Sequence, residues 1–162
     1  MPSTRPQNIK TASRGKGPGI SSRHLNPALI QYTETDITSA QVLTLNATPV
    51  EVVPSPGSGY VVEFISAVCI LDYNTATYAS NGVMSFQYGG GGTTVSDSVA
   101  AAAFLHQADD CIEVVQALSA EVELTANKGI EVTVATGEVD TGNSPIRIKV
   151  ASIYLDTIVS LM

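Results

Sequence analysis

The chain has 162 residues, enough for one domain that would bury roughly 70% of the surface its unfolded form exposes. Only 14% of residues are charged while 44% are apolar, against the ~25% charge of ordinary soluble domains. No apolar run approaches the ~20 residues of a membrane-spanning helix and no signal segment opens the chain, so the missing charge points to surface hidden by protein contacts, and an obligate oligomer is expected.

The net charge of −7 is sharply divided. Residues 1–33 carry Arg5, Lys10, Arg14, Lys16 and Arg23 and no acid. Residues 34–162 hold all fifteen acids against Lys128, Arg147 and Lys149, a net charge of −12. Such a division predicts a basic arm (1–33) on an acidic domain (34–162). The arm also contains Pro2, Pro6, Pro18, Pro27 and many Ser, Thr and Asn, a composition that builds no core and orders on a partner. Extended, it would reach at most about 110 Å. Its charge is thin for nucleic acid, and only Tyr32 offers a stacking face. A protein surface is the expected partner, and nucleic acid and membrane are not.

Strand signals follow the arm. Residues 40–45 (AQVLTL) predict the first strand and 50–53 (VEVV) the second. Residues 60–73 (YVVEFISAVCILDY) are apolar in both registers and bounded by Pro54–Gly59 and Asp72–Asn74, which reads as a central strand covered on both faces. The register Tyr60, Val62, Phe64, Val68 and Ile70 is its candidate oligomer interface. A bent strand shared by two sheets is the alternative. After a polar loop, residues 83–88 alternate and run into Gly89–Gly92, with residues 93–96 as the start of another strand. Residues 98–105 (SVAAAAFL) read as a helix from their alanines, with Ser96 or Asp97 as N-cap, or else as a short strand. Residues 112–118 read as extended. Val122, Leu124 and Ala126 alternate with Glu121, Glu123 and Thr125, and residues 127–129 (NKG) form a turn in which the glycine supplies positive φ. Residues 130–134 alternate again, and 136–144 form a polar loop. In the last strand the apolar phase moves from Ile146, Ile148 and Val150 to Ile153, Leu155 and Val159, as a β-bulge would produce. Arg147 and Lys149 are expected opposite Glu131 or Glu123. About eight strands with one doubtful helix predict an all-β fold, a jelly-roll-like antiparallel β-sandwich with an extended N-terminal arm.

Motifs for chemistry are sparse. Neither His24 nor His106 stands at a recognised catalytic or metal spacing. Gly89–Gly92 is followed by Thr93, where a phosphate loop needs Lys, and reads as a flexible connection. Asp109 and Asp110, near Asp97 and Glu113, lack the spaced Asp pattern of a calcium loop. Cys69 and Cys111 read as buried thiols, with a bridge between them as the alternative. Asn46–Ala47–Thr48 matches the glycosylation triplet, a frequent chance match. No catalytic residue, metal site or cofactor is indicated, and the chain reads as non-enzymatic.

Two segments carry a resemblance. Residues 124–150 (LTANKGIEVTVATGEVDTGNSPIRIKV) and 42–73 (VLTLNATPVEVVPSPGSGYVVEFISAVCILDY) resemble small virion structural proteins of tailed bacteriophages, of the head decoration and head-fibre type. The resemblance spans about residues 40–150 and leaves the arm outside. It implies a trimeric β-sandwich, made in the host cytoplasm and located on the capsid surface, that cements the major capsid lattice. By their charge and apolarity, not by the resemblance, the arm residues expected to bind that lattice are Arg5, Ile9, Lys10, Arg14, Lys16, Ile20, Arg23, Leu25, Leu29 and Ile30. Two other roles belong to the same virion class. One is a fibre domain holding a host glycan on a face gathered from Tyr60, Tyr73, Tyr78 and Tyr88, and the other is a head–tail connector.

Overall fold

The computed structural model describes residues 29–80 and 82–157. Seven strands form two antiparallel sheets: β1 (Gln31–Ile37), β2 (Val50–Val53), β3 (Tyr60–Leu71), β4 (Met84–Tyr88), β5 (Cys111–Gln116), β6 (Ile130–Val134) and β7 (Ile146–Asp156). One sheet has the order β1-β7-β3-β5 and the other β2-β6-β4. Each strand in the sequence lies in the opposite sheet from the one before it. Residues 94–99 continue the smaller sheet beyond β4 through isolated bridges, Gln87 to Thr94 and Met84 to Val99. The all-β sandwich expected from the alternation is therefore present.

Its core is a single apolar layer between the sheets, with Val62, Phe64, Cys69 and Leu71 of β3 against Met84, Phe86 and Tyr88 of β4 and Ile130, Val132 and Val134 of β6. Two polar links cross it. The Tyr88 hydroxyl donates to the Val62 carbonyl at 2.6 Å, and the Thr33 hydroxyl donates to the Val52 carbonyl at 2.7 Å. The first gives a buried hydroxyl a partner and the second a half-buried one.

Several elements differ from the sequence reading. The first strand is β1, not residues 40–45, so Gln31–Thr33 belong to the sandwich rather than to the arm. Its core register holds Thr33 and Thr35 and its outer register Glu34 and Asp36, so no apolar alternation marks it. Within 40–45 the chain instead turns through a short helix, α1 (Ser39–Val42). Thr38 and Gln41 form a reciprocal capping box there, which supplies partners for backbone N–H groups that a one-turn helix leaves open. Val42 and Leu45, three residues apart, are both fully buried by that turn. Residues 98–105 contain only one 3-10 turn, Ala101–Ala103. Val99 joins the smaller sheet instead, exchanging both backbone hydrogen bonds with Met84 (2.8 and 2.9 Å). Residues 121–125 form no strand; their alternation half-buries Val122 without a partner strand in register.

The expected bulge lies on the other strand of its pair. Register shifts between Phe64 and Ser66, so Ile65 is the extra residue of β3, opposite an unbroken β7. The apolar phase of β7 does not switch: Ser152 follows Val150 into the core and is fully buried. In β3 the bulge exchanges faces. Tyr60, Val62 and Phe64 share the core side with Ala67, Cys69 and Leu71, while Ser66, Val68 and Ile70 turn outward. Apolar residues in both registers thus record a bulged strand within one sheet, not a strand shared by two.

Candidate interaction surface

The larger sheet has an outer face whose rows can be read from the strand register. One row runs Asp36, Arg147, Ile70, Ile112, and the next runs Glu34, Lys149, Val68, Val114. Neighbouring strands lie ~4.8 Å apart and same-face residues ~7 Å along the strand, so these rows form an ionic half beside an apolar half.

The ionic half is a ladder between β1 and β7. Arg147 Nε lies 2.6 Å from Asp36 Oδ1 and 3.3 Å from Glu34 Oε1, and Lys149 Nζ lies 3.2 Å from Glu34 Oε2. These partners replace the expected Glu131 and Glu123: β7 pairs with β1 and β3, whereas Glu131 sits on β6 in the other sheet. The hydrogen bond from Arg147 to Asp36, then the charges of Asp36 and Glu34, raise the guanidinium pKa above its ordinary value. Exposed pairs of this kind contribute only ~0–1 kcal/mol each. They fix the register and leave the strip nearly neutral.

The apolar half is the more unusual surface. Ile112 is 66% exposed and Val114 55%, side by side on the edge strand β5 with half-buried Val68 and Ile70 beside them. An edge strand carrying exposed β-branched side chains invites association unless something covers it. The interface expected from the sequence is therefore divided. Val68 and Ile70 lie on this face, whereas Val62 and Phe64 are enclosed between the sheets and cannot meet a second copy. Tyr60 shares their register. Ile112 and Val114 were not singled out from the sequence. Their exposure depends on which register of β5 faces out, which its pairing with β3 decides.

At the end of this face a groove of about 710 Å³ opens between Asp36, Ile70, Asp72, Asp110, Ile112, Pro145 and Arg147. Its lining includes three carboxylates and one guanidinium. Asp110 also caps the next loop, accepting the Tyr73 N–H at 2.8 Å.

Of the predicted arm residues, Leu29 and Ile30 are exposed, immediately before β1. Arg5, Ile9, Lys10, Arg14, Lys16, Ile20, Arg23 and Leu25 lie outside the described residues, as does His24. The tyrosine face of the glycan reading does not form. Tyr78 and Tyr88 are buried, their hydroxyls donating to the Ser144 and Val62 carbonyls.

The remaining chemical candidates resolve as structure. Gly90 and Gly91 both take positive φ, and their N–H groups donate to the Glu131 carboxylate at 3.2 Å. An acid thus occupies the place an anion would take, and the loop is a held turn rather than a flexible connection. The Asn46 side-chain amide donates to the Val134 carbonyl at 2.7 Å. Cys69 and Cys111 are free thiols, the first buried and the second half-buried. Cys69 faces Glu113 and Cys111 faces Leu71, so the two are diagonal neighbours. Among the described residues, no cluster of His, Cys, Asp and Glu is placed to hold a metal ion, and no helix is long and apolar enough to cross a membrane.

No protein-family model matches the chain, and no curated protein matches it. A solved chain described as "Cyanophage Pam1 capsid asymmetric unit" aligns over 94% of this chain and 99% of that one, at 18% identity and a TM-score of 0.44. A likeness at that score carries no argument about function.

Proposed function

We propose that this chain is a non-enzymatic virion structural protein of a tailed bacteriophage, a decoration protein that oligomerises on the capsid surface and anchors to the major capsid lattice through its N-terminal arm. The observation that carries the reading is the apolar half of the outer sheet face, Val68, Ile70, Ile112 and Val114, left open on a chain with only 14% charged residues. Covering that face requires protein, and a further copy is the occupant we assign to it. The cations before Gln31, with no acid among them, are the groups we assign to the anchoring arm. The sequence resemblance to phage decoration and head-fibre proteins supports the same class.

In this reading the sandwich is a jelly roll. With residues 94–99 counted as an eighth strand, the orders become 1-8-3-6 and 2-7-4-5, the two interleaved sheets of that topology. A trimer would cover each open face with a neighbouring copy at a symmetric position of the lattice. Many weak arm contacts, multiplied over the copies of one oligomer, would hold it there by avidity.

The test is a deletion of residues 1–28, which stops short of β1 and keeps the bond from Thr33 to Val52. The truncated protein is expected to remain oligomeric by light scattering and to lose binding to undecorated heads. Full occupancy of heads by the truncated protein would overturn the anchoring role.

A further inference from the structure

Resting on that reading, we propose that the groove at the end of the outer face receives the arm segment 20–25 (ISSRHL) of a neighbouring copy. Two properties of the groove define its ligand. Its lining combines apolar Ile70, Ile112 and Pro145 with Asp36, Asp72 and Asp110 against Arg147 alone. Three carboxylates against one cation leave a net charge of −2, and Arg147 is already engaged by Asp36. The complementary ligand is a short extended segment with apolar side chains and a cation between them. Residues 20–25 have that pattern, with Ile20 and Leu25 on either side of Arg23 and no acid anywhere upstream.

The direction of the chain selects the neighbour over the same copy. The arm enters β1 at Gln31, paired with Ser152, whereas the groove begins at Asp36, paired with Arg147. The five steps between them span about 17 Å. β1 runs toward the groove, so the chain enters the strand at the end farther from it. To reach its own groove the chain before Gln31 would have to double back along the length of β1. Eight residues from Gln31 back to Arg23 span at most about 28 Å, enough to reach an adjoining subunit. The arm is then divided. Residues 20–25 link one copy to the next, and the distal cations Arg5, Lys10, Arg14 and Lys16 remain for the shell.

The half-buried thiol of Cys111, which lines the groove, provides the probe. Full-length Ser22→Cys protein is oxidised with copper phenanthroline, with Ser22→Cys/Cys111→Ser as control, and products are sized by non-reducing electrophoresis and mass spectrometry. Light scattering and head binding are measured on the same samples. Disulfide-linked multimers that vanish in the control are the expected result. Adding Asp72→Lys, at an exposed position of the lining, should lower their yield at least about fivefold by like-charge repulsion, and Arg23→Glu should restore it. An intrachain disulfide at monomer mass would overturn the proposal, as would a stable oligomer that forms no disulfide through Cys111. In either case, retained head binding would leave the decoration reading standing, whereas a monomer that ignores heads would remove that reading itself.

Discussion

The rings of Phe64 and Phe86 stack with centroids 5.1 Å apart and planes at 26°, where β3 of one sheet meets β4 of the other. Phe64 reaches this position because the bulge at Ile65 returns Ala67, Cys69 and Leu71 to the same side. Phe64→Ala removes the ring from a closed layer and should destabilise the fold by about 3–5 kcal/mol. A shift of the urea midpoint, with the slope unchanged, checks it.

Ser152 presents the opposite case. Its hydroxyl is fully buried in the core register of β7 and has no hydrogen-bond partner. An unmet buried hydroxyl costs roughly 1–3 kcal/mol. Ser152→Ala should therefore raise stability by about 1 kcal/mol, read as a higher denaturation midpoint. A lower midpoint would mean that the hydroxyl has a partner in solution.

Burial pushes the Cys69 thiol up to about 12, with Glu113 adding to the shift. Burial likewise pushes the Tyr78 phenol up to about 12, against the opposing hydrogen bond to Ser144. Both folded values lie above the unfolded ones, so the native state retains protons that the unfolded chain has released. Stability should hold below about pH 9 and fall from there to about pH 12, by up to ~1.4 kcal/mol per pH unit for each group. Equilibrium unfolding across that range, compared with Cys69→Ala, should show a shallower alkaline slope in the variant.

Gly129 was expected to supply the positive φ of its turn, but Asn127 holds that conformation. Gly129 is needed for space. A Cβ there would run into the Val53 carbonyl oxygen, with the Ser55 nitrogen at 3.0 Å. Gly129→Ala should cost about 1–3 kcal/mol as the β2–β6 pair is forced apart, whereas Gly91→Ala, with open space around its Cβ but positive φ, should cost roughly 1 kcal/mol from strain alone. Parallel denaturation curves would rank the two.

Ile112 and Val114 project from the edge strand into solvent. Ile112→Asp with Val114→Asp should change the unfolding free energy by no more than about 1 kcal/mol together and shift light-scattering mass to the monomer. An unchanged oligomer would remove this face from the interface.

Composition and period alone determined that the chain would form an antiparallel sandwich. Alternation in residues 50–53, 130–134 and 146–150 puts apolar side chains on one face, and burial of that face forces a second layer. What the sequence left open depended on partners distant in the chain. β1 carries polar residues on both faces and is a strand only because β7 offers it an edge. Residues 121–125 alternate well and yet form no strand. The bulge at Ile65 sends Phe64 inward and Val68 outward, and the β3–β5 register turns Ile112 and Val114 to the outer face. Local pattern sets which residues avoid water. Strand pairing, through hydrogen bonds between residues far apart in sequence, decides on which face they end.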